Sequence, residues 1–195
     1  MCSICKTKSP VVWVSSMKRK EKIIAYTWGA SLTVIILLGV LLCYQRPPES
    51  VIKANRSLIA ISDKIRRYYQ NRPDYWGLNT NEVVRQNLYS GTLNNNSIIN
   101  ELGKPVVVGA DSEGNPVMPG GRSFMIVYRN LSTDECVELA SFRWNEEDKL
   151  GLLSLTIQNA EGTFEFSWGD KGLPVSRSRA KHYCKTDNNI MWSFE

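Results

Sequence analysis

Five cysteines and one histidine are the side chains of this 195-residue chain best suited to covalent, metal or redox chemistry. Their spacing decides which of these is open. Cys2 and Cys5 form a C-x-x-C, the half-site of a zinc or dithiol centre, but no second pair or histidine follows at ligand spacing and no βαβ pattern surrounds it. No metal site is expected. Cys43 closes an apolar run and reads as one more apolar residue. Cys136 and Cys184 lie far downstream, where an oxidising compartment would join them. The closed loop of about 49 residues would contribute about 4 kcal/mol on the chain-entropy model; two buried thiols are the alternative.

The remaining candidates are weaker. With His182 as the sole histidine, hydrolytic triads and His-rich metal sites lack their members. Glu146, Glu147 and Asp148 are adjacent on a loop, point apart and read as solvated. Gly120-Gly121 lacks the phosphate-cradling spacing. Arg177, Arg179 and Lys181 alternate, which would align them on one strand face toward an anion or an acidic partner, or simply toward water. Asn55-Arg56-Ser57 and Asn130-Leu131-Ser132 match the glycosylation pattern, which recurs by chance. No catalytic constellation, cofactor site or small-molecule substrate site emerges, so a non-enzymatic role is expected.

The elements that carry these residues begin in a membrane. Residues 1–29 hold six of the 24 Lys and Arg and one of the 19 Asp and Glu, leaving 18 against 18 from Ala30 onward. The basic excess is therefore a topology signal and not a nucleic-acid footprint. Ile23 to Gln45 carries no formal charge over 23 residues, long enough to cross about 30 Å of hydrocarbon. Lys18, Arg19, Lys20 and Lys22 precede it and favour a cytoplasmic N-terminus with the remainder exported. No small-x-small cleavage site follows the run, so an ordinary secretory signal is disfavoured.

Pro47 and Pro48 break the helix that follows. From Ser50 to Gln70, Val51, Ala54, Leu58, Ile61, Ile65 and Tyr68 recur at helical spacing and predict an amphipathic helix needing a partner surface. Asn79 with Glu82, and Ser132 with Glu135, have the spacing of reciprocal capping boxes and predict short helices, the second running to about Ala140. Strands are expected at Val106–Val108, Phe124–Tyr128, Leu152–Ile157, Thr163–Trp168 and Ile190–Phe194. The third and fourth form a hairpin around Asn159-Ala-Glu-Gly162. Asn94–Asn96 reads as a polar loop and Gly109–Pro116 as turn chemistry. The fold class is α+β: a long N-terminal helical stem packed on an antiparallel-sheet head.

Several segments in this order resemble type IV pilins, specifically the type IVb branch that includes bundlin and the toxin-coregulated pilin. Gly29-Ala-Ser-Leu-Thr-Val-Ile-Ile-Leu-Leu-Gly39 is similar to that family's prepilin junction, cut after Gly29 to expose Ala30. Tyr75-Trp-Gly-Leu-Asn-Thr80 resembles the segment opening the first short helix after the stem. Phe124 to Ala140 is similar to the strand, loop and Cys-bearing helix, and Cys184 to Phe194 resembles the terminal Cys followed by a last strand. The resemblance implies a leader at 1–29, a stem at 30–70 broken near 47–48, and a pilin head at 71–195 stapled by Cys136–Cys184. It implies assembly through Leu32, Val34, Ile35, Ile36, Leu37, Leu38, Val40 and Leu41, with other pilin subunits, the inner membrane and a prepilin peptidase as partners. The protein would be single-pass with a periplasmic head, reaching the surface if assembled into a pilus for adhesion, aggregation or conjugation.

One departure matters. The family places a Glu five residues after the cut, and here that position is Val34. An ammonium left unpaired in an apolar filament core costs several kcal/mol. Two roles are implied: a minor subunit at a filament tip, or an anchored relative that never polymerises. A pseudopilin of type II secretion and a signal-anchored periplasmic binding domain are the alternatives.

Overall fold

The computed structural model describes residues 47–110, 121–143, 151–169 and 172–195. The chain divides into two compact units, Met1–Arg46 and Pro47–Glu195, and the described residues belong to the second. The apolar segment, the Gly29–Ala30 junction, the assembly residues from Leu32 to Leu41, Cys2, Cys5, Cys43, Gly120 and Glu146 to Asp148 lie outside them. Among the described residues no helix is long and apolar enough to cross a membrane.

Helix α1 spans Glu49–Tyr69, with Pro47 and Pro48 outside it. The Pro48 carbonyl accepts from Val51 N and Ile52 N at 3.0 and 3.2 Å, so the helix starts directly after the prolines. Val51, Ala54, Leu58, Ile61 and Ile65 are buried as the periodicity predicts. The stripe closes on Tyr69, whereas Tyr68 is half-buried. About five turns of 3.6 residues separate Val51 from Tyr69, which keeps Tyr69 on the stripe axis and swings Tyr68 away from it.

The helix lies against a seven-stranded sheet. Its strands are β1 (Thr92–Asn94), β2 (Ser97–Ile99), β3 (Pro105–Ala110), β4 (Phe124–Leu131), β5 (Leu152–Asn159), β6 (Gly162–Ser167) and β7 (Asn188–Phe194). Their spatial order is β1-β2-β3-β4-β7-β5-β6, with every pair antiparallel. Three short helices complete the fold: α2 (Thr80–Arg85), α3 (Thr133–Ala140) and α4 (Arg177–Tyr183). The α+β class with an antiparallel sheet is borne out.

Alternation sets the sheet's inner face. Val106 and Val108, Phe124, Ile126 and Tyr128, Ile190, Trp192 and Phe194, and Leu155 and Ile157 are all buried. Ile126 pairs with Trp192 across β4 and β7, and Trp192 meets Tyr128 edge-on at 5.1 Å between ring centroids. The Tyr128 hydroxyl donates to the Ala54 carbonyl at 2.8 Å, tying the middle of the sheet to α1.

Two short strands that the sequence reading did not anticipate flank the expected Asn94–Asn96 loop. Asn95 and Asn96 adopt left-handed φ values of 47° and 63°, the pattern of a tight hairpin turn between β1 and β2. β1 is three residues long and exposed throughout, so no alternation announces it. The predicted closing strand is also longer, and β7 is interior: β4 and β5 flank it.

Full burial, and secondarily the Glu101 carboxylate, push the Tyr128 phenol well above its ordinary range. The folded state therefore keeps this proton at alkaline pH when the unfolded chain has lost it. Stability from Tyr128 is complete below the ordinary tyrosine range and is lost as pH rises through it. Tyr128→Phe should cost about 1 kcal/mol near neutrality for the lost hydrogen bond. The same variant should flatten the alkaline decline in melting temperature, read by thermal unfolding across the tyrosine range.

Candidate functional site: the disulfide-bounded face

Helix α3 forms because Ser132 and Glu135 close a reciprocal capping box. Glu135 N donates to Ser132 Oγ at 3.3 Å and Ser132 N donates to Glu135 Oε2 at 2.8 Å. The helix turns Cys136 inward, where it is fully buried and disulfide-bonded to Cys184 with the Cα atoms 5.8 Å apart. Cys184 is the C-cap of α4. The bond thus fastens the two helices through cysteines that lie 48 residues apart in the chain.

α4 corrects the strand reading of Arg177, Arg179 and Lys181. Ser176 caps this segment as a helix, its hydroxyl accepting from Arg179 N at 3.3 Å. Residues two apart on a helix lie about 200° from each other and residues four apart about 40°, so Arg179 is turned away from the face that Arg177 and Lys181 share. Arg177 grips Glu138 of α3 with both guanidinium nitrogens, one at 2.9 Å to Oε2 and the other to Oε1. Arg179 instead lies 5.4 Å over the Phe166 ring. A two-residue alternation cannot separate a strand face from a helix whose sole buried residue is Ala180.

Beside the disulfide, Asn188 at the start of β7 forms a buried polar junction. Its Nδ2 donates to the carbonyls of Lys185 at 2.8 Å and Leu131 at 3.3 Å. Its Oδ1 accepts from Lys185 N at 2.8 Å and from Asn159 Nδ2 at 3.1 Å. Asn159 Nδ2 also donates to the Tyr183 carbonyl at 2.7 Å, and the Thr133 hydroxyl donates to that of Lys185. One amide therefore uses its whole donor and acceptor capacity to join β4, β5, β7 and the residue after Cys184. Sequence reasoning missed it; the run Asp187-Asn188-Asn189 offers turn chemistry but no sign that the middle side chain is buried.

The other candidates are scattered. His182 is exposed, its ring 4.9 Å from that of Tyr183, and no group of three His, Cys, Asp or Glu residues gathers as a metal site among the described residues. Asn55 is fully buried and donates to the Val51 carbonyl at 3.1 Å, so the folded chain offers no acceptor for a sugar there. Asn130 is exposed at φ 58° on a β4 irregularity. The Asn79 cap forms in one direction, accepting from Glu82 N at 2.9 Å. The Glu82 carboxylate accepts instead from Arg85, from Gln86 at 3.1 Å and from the Tyr68 hydroxyl at 3.5 Å. Burial raises the Tyr69 and Tyr75 phenols above their usual range. The site's chemistry is fastening: it fixes a surface.

No family model matches the sequence, and no curated protein does. By structure the chain is similar to TcpA, a type IV pilin from Vibrio cholerae El Tor biotype. The TM-score is 0.50 at 15% identity, over 76% of this chain and all of that one. It is also similar to the type IV b pilin from Salmonella typhi, with a TM-score of 0.48 at 13% identity, over 71% of this chain and 95% of that one. The likeness to the Vibrio protein is one of fold, and the pilin-like head implied by the sequence resemblance is borne out at that level.

Opening the disulfide with Cys136→Ser should lower stability by about 4 kcal/mol. Asn188→Ala should cost about 2 kcal/mol by leaving buried backbone groups unpaired while the disulfide stays intact. Urea unfolding without reductant, with thiol counting by mass, checks both.

Proposed function

We propose that this chain is a type IVb pilin-like structural subunit that works by assembly. The observation that carries the reading is one amphipathic helix, α1, packed with an antiparallel sheet in which β7 is an interior strand, with Cys136–Cys184 joining α3 to the end of α4. That fold aligns with the whole length of the Vibrio pilin chain. Residues 1–29 act as a leader cut between Gly29 and Ala30 by a prepilin peptidase. Residues 30–70 form the stem and 71–195 the head.

The stem's apolar residues, Leu32, Val34, Ile35, Ile36, Leu37, Leu38, Val40 and Leu41, hold the subunit in the inner membrane and later pack among other pilin stems. Each fully buried Leu or Ile stabilises such packing by about 2 kcal/mol. Val34 in place of a carboxylate favours a minor position at the filament tip, where no neighbour above presents an ammonium to be neutralised.

Mass spectrometry of the protein from membranes should find an N-terminus at Ala30, and an intact Met1 would overturn the pilin reading. Val34→Glu should raise the subunit's share in sheared filaments several-fold, measured by immunoblot against the major subunit. An unchanged share would remove the tip argument.

A further inference from the structure

The outward face of α1 carries a row of cations. Lys53, Arg56, Lys64 and Arg67 are all exposed, on the side of the helix turned away from the buried stripe of Val51, Ala54, Leu58, Ile61 and Ile65. At 3.6 residues per turn the four fall within about 80° of one another around the axis, and the row runs about 21 Å from Lys53 to Arg67.

The acidic residues of α1 compensate little of it. Lys53 pairs with Glu49 at 2.9 Å at the exposed surface, and Asp63 is taken by Arg66 at 2.5 Å. Lys64 Nζ donates to the Tyr89 carbonyl at 2.8 Å, a neutral partner that leaves its charge in place. The Arg56 and Arg67 guanidiniums make no hydrogen bond or ion pair among the described residues.

Cations on a helix surface are ordinarily just solvated. Two features set this row apart. The first is the division of charge: residues 49–69 hold five Lys and Arg against two Asp and Glu, whereas residues 70–195 hold 12 against 16. A negative surface therefore attracts α1 and repels the rest of the head, which favours one orientation. The second is the tether. Glu49 follows Gln45, the last residue of the uncharged run, by four residues, so at most about 14 Å of chain separates them.

We propose that the outer face of α1 lies along an anionic phospholipid surface, with Lys53, Arg56, Lys64 and Arg67 among the phosphates. The proposal rests on the reading of Ile23 to Gln45 as a membrane span. The surface potential fades within a Debye length of about 8 Å. A helix standing upright would leave Arg67, about 27 Å along the axis from Glu49, outside that field. A helix lying flat brings all four cations into it.

The test places the full chain, one copy per disc, in lipid nanodiscs of phosphatidylcholine alone or mixed equally with phosphatidylglycerol. Brief amine acetylation, read by peptide mass spectrometry, reports on each lysine. Lys53 and Lys64 should label several-fold more slowly in the anionic discs and recover at high salt. Lys181, exposed on α4 and outside every ion pair of the described residues, should label equally in both. The double variant Arg56→Gln, Arg67→Gln should lose most of the protection at Lys64 without moving the melting temperature. Equal labelling of Lys53 and Lys64 in both kinds of disc overturns the proposal while leaving the span intact. Protection confined to Lys53 also overturns it, since the tether alone accounts for that. So does protection that requires several copies in one disc, which assigns the row to the acidic side of a neighbouring head. A chain that enters neither kind of disc overturns the spanning reading and the lipid contact with it.

Discussion

Because β7 runs between β4 and β5, the two halves of the sheet, β1 to β4 and β5 to β6, meet through the C-terminal strand alone. The hydrogen-bonded ladder cannot be completed until the last residues of the chain are in place. This makes the sheet strongly non-local, since pairing β4 with β7 closes a loop that starts at Phe124 and ends at Phe194. The polar junction at Asn188 and the disulfide at Cys184 stand at the start of that strand. They settle where β7 begins and hence which of its side chains face inward, because a slip of one residue would turn Ile190, Trp192 and Phe194 toward water.

The same strand couples the sheet to the helix. Trp192 fills the inner face opposite Ile126 and against Tyr128, and Tyr128 reaches the α1 backbone at Ala54. A second tie between α1 and the sheet's far side comes from Ser57, whose hydroxyl donates to the Glu101 carboxylate in the turn between β2 and β3. That turn is stiffened by Asn100, whose Oδ1 accepts from Leu102 N at 3.0 Å and Lys104 N at 2.9 Å. α1 is therefore fixed through polar contacts as well as through its apolar stripe. The stripe supplies most of the burial, and the polar contacts select one axial position for the helix on the sheet.

What was legible in the sequence follows from which signals are local. The α1 stripe, the α3 capping box and the β5–β6 hairpin each depend on residues within a few positions of one another, and each formed as read but for the stripe's last residue, Tyr69 in place of Tyr68. The β1–β2 hairpin escaped because an exposed three-residue strand has no buried side to impose alternation. α4 escaped because Ser176 and Ala180 are the only local marks of a helix among cations that mimic a strand. Asn188 was invisible for a different reason: its four bonds come from β4, β5 and the segment after α4, a junction that exists only once those elements are assembled. The Cys136–Cys184 pairing was legible because only two cysteines fall downstream of the apolar run, which left compartment and not geometry to decide it.

In the proposed subunit these fastenings also fix the load path. Force entering through the stem reaches α1 and passes to β4 at the Tyr128–Ala54 contact, then to β7 across the paired ladder. β7 is held at its start by Asn188 and followed at its end by the backbone bond from Glu195 N to the Gly151 carbonyl at 2.7 Å. An isolated edge strand could peel one bond at a time, but β7 carries partners on both sides, so displacing it requires two ladders to yield together. The disulfide adds a covalent limit on the separation of α3 and α4 whichever ladder loosens.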